Sequence, residues 1–285
     1  MAGSYSGAAT AEGDPEADGD VGPAVSDRTV RRIGVGISVA FAAAVLAMLA
    51  FILVINPRSR VDPDLLVTIV PRFFEAWLLV LGIFLAGSVS SVFFGIFVGL
   101  GRVSNSSITN SIASVYVEFF RGTPLLFQLI VIFFGIPALW PPGAFPIENF
   151  AVPAAIIGLT LNHAAYVGEA IRGGIGSVPD GQMEAARSLG MSYVQSMREV
   201  VLPQAWRNAL AAIGNDQVIL VKDTSLLTVI AVPELISEFR DVNSATFDPW
   251  TPIVLVAVAY LGITLPLGKA VRYLEARSDW GGDDR

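Results

Sequence analysis

Six stretches of this chain, at 33–55, 76–101, 123–140, 150–171, 211–232 and 250–271, are apolar for close to the length that a lipid bilayer demands. A hydrocarbon core about 30 Å thick takes roughly 20 residues of α-helix at about 1.5 Å per residue. In that medium every backbone N–H and C=O must be satisfied inside the protein. The expected fold is therefore all-α, a polytopic transmembrane helix bundle. The first segment is longer than the apolar core of a cleaved signal peptide, about 7 to 15 residues, and is expected to stay as an anchor helix. In the second, Gly95-Ile96-Phe97-Val98-Gly99 offers a face of small residues on which another helix can come close.

Composition agrees, with 53% hydrophobic and 15% charged residues where a soluble domain has roughly 25% charged. The absence of cysteine and the single histidine exclude a disulfide framework and a thiolate or histidine metal cluster. No metal, cofactor or nucleic-acid partner is expected. Glu12, Asp14, Glu16, Asp18 and Asp20 crowd a Gly- and Ala-rich start, so 1–32 reads as a disordered acidic tail. With that tail in the cytoplasm, only Arg58, Arg60, Arg72 and Arg240 fall outside, which satisfies the positive-inside rule and puts both termini and the polar interval 172–208 inside.

That interval contains a charged, helix-prone stretch at 184–203. On a helical wheel Met183, Ala186, Leu189, Gly190, Tyr193, Val194, Met197, Val200 and Val201 share one side. Glu184, Arg187, Ser188, Gln195, Arg198 and Glu199 share the other, so an amphipathic helix is expected. Pro179-Asp180-Gly181 would start it and Pro203 would end it. Gly190 costs about 1 kcal/mol relative to alanine inside a helix and marks a bend or a close backbone approach. Two uses fit such a segment: a helix lying among lipid headgroups, or a docking element offered to a partner on the cytoplasmic face.

Glu184-Ala185-Ala186, three residues, Gly190, nine residues, Val200, one residue and Leu202-Pro203 together resemble the EAA loop of bacterial ABC importer permeases, with Val200 where that family usually has isoleucine. Four more stretches resemble the permeases for polar amino acids. They are Phe120-Arg121-Gly122-Thr123-Pro124-Leu125-Leu126-Phe127-Gln128, Ala165-Tyr166 with Glu169 and Arg172-Gly173-Gly174-Ile175, Gly181-Gln182, and Lys222-Asp223-Thr224-Ser225-Leu226. The resemblance covers about 76–276. It implies a five-helix permease core of the bacterial cytoplasmic membrane, with 33–55 as one extra N-terminal helix. It implies no catalytic residue here, ATP hydrolysis being the work of a separate ATPase dimer that docks on a coupling loop at 179–203 through Glu184, Ala185, Ala186, Gly190, Leu202 and Pro203. The other implied partners are a second permease subunit, identical or related, an extracytoplasmic substrate-binding protein and the amino-acid substrate.

Polar side chains at bilayer depth cost free energy unless they are paired or face water, so each is a functional candidate. Gln128 in the third segment, Asn162, His163 and Glu169 in the fourth, and Asn215, Gln217, Lys222, Asp223, Thr224 and Ser225 in the fifth are the substrate-path candidates; with Asp216 the last six crowd the fifth segment, whose helix is expected to break near Lys222. Structural alternatives stand beside them: Lys222 and Asp223 pairing with each other or with neighbouring helices, His163 as a neutral packing residue, and Glu169 pairing with Arg172 at i,i+3. The GK pair Gly268-Lys269 lacks the Ser or Thr of a phosphate loop, and with one histidine and no GxSxG an intramembrane hydrolase is not expected. The competing function is an autonomous channel or ion-coupled carrier, which would leave the 184–203 spacing unexplained.

Overall fold

The computed structural model describes residues 27–51 and 61–278, which fall into two units divided between Arg60 and Val61. The acidic tail over 1–26, and the end of the first apolar segment over 52–55, lie outside the described residues. In the first unit α1 (Asp27–Ala50) is already helical within the stretch expected to be tail. Its Val35, Ile37, Phe41 and Leu46 are all more than half exposed, a pattern that suits lipid rather than water. Its apolar run Val35–Met48 is shorter than a bilayer crossing.

The second unit is built on α2 (Pro63–Arg102), α3 (Ser107–Gly122), α4 (Leu125–Ile130), α5 (Ala151–Gly176), α6 (Asp180–Ser188), α7 (Tyr193–Ser196), α8 (Leu202–Asp223), α9 (Leu235–Thr246) and α10 (Trp250–Ser278). Among the described residues, α2, α5 and α10 are long and apolar enough to cross a membrane, and α3 with the chain from Leu125 to Leu139 passes the same test only as a pair, bent by 102° at its break. The expected span at 211–232 is not one helix. α8 stops at Asp223, the backbone tightens into a 3-10 turn over Thr224–Ile230, and Ala231 at φ 59° turns the chain away.

α2 begins at Pro63 rather than near residue 76. The Asp62 carboxylate accepts from the N–H groups of Asp64 (2.9 Å) and Leu65 (3.3 Å), and a proline in the first turn has no N–H to leave unpaired. Arg72 and Glu75 end the apolar window without ending the helix, and Arg72 bonds Glu238 on α9 at 2.7 Å. At 40 residues α2 is about 60 Å long. Its Val80 and Ile83 pack into a core with Leu159 of α5, Leu220 of α8 and Leu227 of the 3-10 turn.

The Gly95–Gly99 face is where α2 meets α5. A Cβ on Gly95 would stand 2.5 Å from that of Val167, and one on Gly99 would stand 2.7 Å from that of Ile171 and 2.9 Å from the Gly168 carbonyl oxygen. Hydrogen on the α-carbon is the only substituent that fits such an approach. α10 is tied on from the other side by the Trp77 indole N–H, which donates to the Ala259 carbonyl at 3.0 Å.

The amphipathic α3 and α9 were not anticipated from the apolar segments. At the α3–α4 bend Thr123 is extended (φ −115°, ψ 145°) and Pro124 follows, which strands backbone acceptors inside an apolar bundle. Gln128, 4% exposed, meets them: its Nε2 donates to the carbonyl of Phe120 (2.9 Å) and to the carbonyl and hydroxyl of Thr123 (3.1 and 2.8 Å). Asn162 of α5 donates to the same Phe120 carbonyl at 3.1 Å and to Gln128 Oε1 at 3.0 Å.

Two substitutions test these contacts. Gly99→Val should lower the thermal unfolding midpoint in detergent by the equivalent of about 1–3 kcal/mol, while Gly82→Ala, where a Cβ meets nothing within 4 Å, should be neutral or slightly stabilising. Equal midpoints for the two would mean that the α2–α5 approach is not close-packed. Gln128→Leu takes the side-chain donor from the Thr123 carbonyl and leaves Asn162 alone on that of Phe120, and should cost about 1–3 kcal/mol. An unshifted midpoint would show that the bend holds without its brace.

Candidate functional site

The chain between α5 and α8 does not form one amphipathic helix. α6 ends at Ser188 and is followed, after Leu189, by Gly190, whose φ of +87° lies in the left-handed region. Its N–H bonds to the Arg187 carbonyl (3.0 Å) and that of Met191 to the Ala186 carbonyl (3.2 Å), which is the paired arrangement of a Schellman cap. Two residues on, Ser192 and Gln195 exchange side-chain and backbone bonds as a capping box and start α7. No atom lies within 4 Å of where a Gly190 Cβ would be, so within this chain the glycine supplies a bend rather than a close approach.

The bend divides the face expected to be continuous. Ala186 and Val201 turn inward, and Val201 joins Val178 and Ala205 in a small core against the ends of α5 and α8. Leu189 and Val194 instead point outward, 83% and 71% exposed, with Tyr193 beside them. Glu184 and Ala185 lie on the exposed side of α6. Pro203 does not stop the chain. A π-helical turn over Met197–Val201 runs directly into α8, with Pro203 in its first turn, where a missing N–H is tolerated. Leu202 and Pro203 line an apolar groove of about 390 Å³ with Ile96, Ile171 and Trp206.

The polar candidates separate into three groups. Gln128 and Asn162 brace the α3–α4 bend. Glu169 lies between two arginines, 3.2 Å from Arg102 of α2 and 2.6 Å from Arg172, so the i,i+3 pair forms and α2 is added to it. The third group joins α5 to α8. His163, 1% exposed, places Nδ1 3.0 Å from Asp216 Oδ1 and Nε2 3.4 Å from Asp223 Oδ2.

His163 is thus buried and hydrogen-bonded, as a packing residue is expected to be, and it lies between two carboxylates. Asp223 faces His163, and no Lys222–Asp223 ion pair forms among the described residues. Lys222 lies on the exposed side of α8 with Asn215. Gln217 is buried, donating to Asp216 Oδ2 at 3.3 Å while its Oε1 has no partner. Thr224 Oγ1 donates to the Val221 carbonyl at 2.6 Å where the 3-10 turn begins, and Ser225 is half-buried beside it.

His163, Asp216 and Asp223 form one wall of a cleft of about 380 Å³, with Asn162 beside them. Arg121, at the end of α3, and Tyr166 complete it, the guanidinium carbon lying 5.2 Å from the centre of the Tyr166 ring. Arg121 and Tyr166 stood within recognisable motifs but not among the candidates. Their signal is tertiary, because only the α3–α4 bend brings residue 121 beside α5. Asp216 carried a readable sign: it sits seven residues before Asp223, two helical turns away on the same face. The cleft therefore presents two carboxylates, an imidazole and a guanidinium, a set that can hold a small ligand bearing both charges.

Residues 91–279 match the family described as the binding-protein-dependent transport system inner membrane component. The chain is 33% identical over 207 residues to the probable amino-acid permease protein YxeN of Bacillus subtilis (strain 168), covering 73% of this chain and 91% of that one. It is 35% identical over 208 residues to the glutamine transport system permease protein GlnP of Escherichia coli (strain K12), covering 73% and 93%. Among solved structures it is similar to the crystal structure of an amino acid ABC transporter with histidines, with a TM-score of 0.69 and 34% identity over 76% of this chain and 99% of the other. A further likeness, to an inward-facing form of the MetNI methionine ABC transporter at TM-score 0.54 and 19% identity over 75% and 99% of the two chains, is one of fold alone. On these matches the chain belongs to the family of binding-protein-dependent transport system inner membrane components.

Proposed function

We propose that the chain is the permease subunit of an ATP-binding-cassette importer for polar amino acids in the bacterial cytoplasmic membrane. Its core spans about 76–276, with α1 as an additional helix and both termini on the cytoplasmic side. A separate ATPase dimer docks on the loop at 179–203, a second permease subunit completes the path, and an extracytoplasmic binding protein delivers substrate. The observation that carries this reading is the geometry of the loop. Its backbone is fixed at both sides of Gly190 by a Schellman cap and a capping box, yet Leu189 and Val194 are left in the open. Apolar side chains held outward by a rigid turn suit a socket on a partner more than a lipid surface, because the charged Glu184 and Arg187 lie on the same short helix. The amino acids named for the relatives support the substrate class, and the charges of the α3–α5–α8 cleft suit a zwitterion.

Force applied at the loop would enter α8 directly through the π-helical turn. ATP-driven closure of the ATPases would then move α8 against α5 and alternate the exposure of the path between the two sides.

Gly190→Asp tests the docking role. Aspartate is among the few residues that enter the left-handed region, so the subunit should insert and elute as a monodisperse species, while the ATPase no longer co-purifies in mild detergent and ATP-driven uptake falls by at least about tenfold. A variant that still retains its ATPase and transports normally would remove the loop from the coupling path.

A further inference from the structure

The cleft between α3, α5 and α8 holds more titratable side chains than the transport reading itself requires, and their arrangement points to a class of substrate. His163 is buried with both ring nitrogens facing carboxylates, Asp216 at 3.0 Å and Asp223 at 3.4 Å. An ionised carboxylate only accepts hydrogen bonds, so an imidazole set between two of them is served best when both nitrogens carry hydrogen, that is, as the imidazolium. The two contacts are unequal. Nδ1 makes an aligned bond to Asp216, which also accepts from Gln217, whereas Nε2 has no aligned partner. The Asp223 side chain is 28% exposed against 9% for Asp216. Asp216 is therefore committed to the protein and Asp223 is open to the cleft.

Arg121 lies over the ring of Tyr166, three residues along α5 from His163, and its guanidinium makes no hydrogen bond or ion pair among the described residues, so its donors can serve a carboxylate. Lys222 does not line the cleft. The lining charges are then Arg121 and imidazolium His163 against Asp216 and Asp223, which balance.

We propose that His163 is a specificity-determining residue: by cancelling the charge of Asp216 it leaves one carboxylate and one guanidinium for the α-ammonium and α-carboxylate of the substrate, so the cleft selects amino acids with uncharged side chains. This rests on the transport reading above and narrows it. An ionised side chain would bring a third ligand charge into a site with no charge left to meet it, and a buried charge without a partner is costly. Removing the imidazolium leaves the cleft with one excess negative charge and favours a cationic side chain. Neutralising Asp216 leaves one excess positive charge and favours an anionic one.

The test is the affinity of the full-length chain, with its partner subunits in lipid nanodiscs, for radiolabelled glutamine, arginine and glutamate. The wild type should bind glutamine most tightly. H163Q should shift the arginine-to-glutamine affinity ratio toward arginine by about tenfold or more, and D216N should shift the glutamate-to-glutamine ratio toward glutamate by a similar factor. The double variant H163Q/D216N should return both ratios toward the wild type, which a packing role for His163 would not produce. If H163Q is unstable, D216N alone decides through the glutamate ratio. Ratios that stay unchanged in the folded variants, or a wild type that does not prefer glutamine, overturn the assignment. If the complete complex shows no ATP-driven uptake of any of the three, the transport reading fails, while the binding ratios still decide the part played by His163.

Discussion

The constraint on which this architecture depends is that a backbone polar group in an apolar layer has to find its partner inside the protein. A continuous helix meets it without help. Where this chain leaves the helical path within its apolar stretches, side chains step in. At the 102° bend Gln128 and Asn162 take up the carbonyls of Phe120 and Thr123. At the end of α8 the chain keeps its hydrogen bonds by tightening to 3-10 geometry, with the Thr224 hydroxyl returning a bond to Val221. Both breaks border the same cleft, so the departures from regular helix that burden stability are also what gather Arg121, Asn162 and Asp223 in one place.

Close packing sets how far such a cleft can persist. α2 and α5 approach through Gly95, Gly99 and Gly168, where added methyl groups would overlap neighbouring side chains and backbone, and Gly174 of α5 meets the Ala205 carbonyl of α8 in the same way. α5 and α8, which carry His163, Asp216 and Asp223 of the cleft, are thereby held with little slack. The charged side chains follow the same logic. Glu169 is shared by Arg102 and Arg172 and joins α2 to α5, while His163 between Asp216 and Asp223 joins α5 to α8, so each charged side chain at depth has a neighbour of opposite sign or a hydrogen-bonding ring beside it.

Much of this was legible in the sequence. The all-α membrane class followed from segment lengths, the Gly95–Gly99 contact from spacing, and the break near Lys222 from the crowd of polar residues after Asn215. What was not legible has a common cause. Hydropathy windows end at charges, so α2 was cut short at Arg72 and Glu75, although Arg72 finds its partner on α9. α3 and α9 escaped for the same reason, being amphipathic, with faces whose partners lie far off in sequence. A helical wheel assumes one helix, and at 184–203 the left-handed turn at Gly190 ended one helix and the Ser192 box began another. Pro203 reads as a helix stop in sequence, but it lies in the first turn of α8, where its missing N–H costs nothing. Asn162, His163 and Asp223 of the cleft stand among the sequence candidates, but that Arg121 joins them is not legible, since only the bend brings it beside α5.

The continuity between the loop and the cleft has a mechanical consequence for the proposed transport cycle. From Met197 to Asp223 the backbone stays helical, first as a π turn and then as α8, and a helix of that kind transmits displacement along its axis with little compression. The carboxylates of Asp216 and Asp223 sit in its last two turns, opposite His163 on α5. A movement of α8 against α5 therefore changes the distances of both carboxylates from one imidazole, and the weaker contact, at 3.4 Å, is the first to part. Asp223 would be freed for a ligand ammonium as the loop moves, and reclaimed by His163 as it returns. Coupling between loop and cleft then needs no chain of intermediate residues, only one stiff element whose position both ends bias.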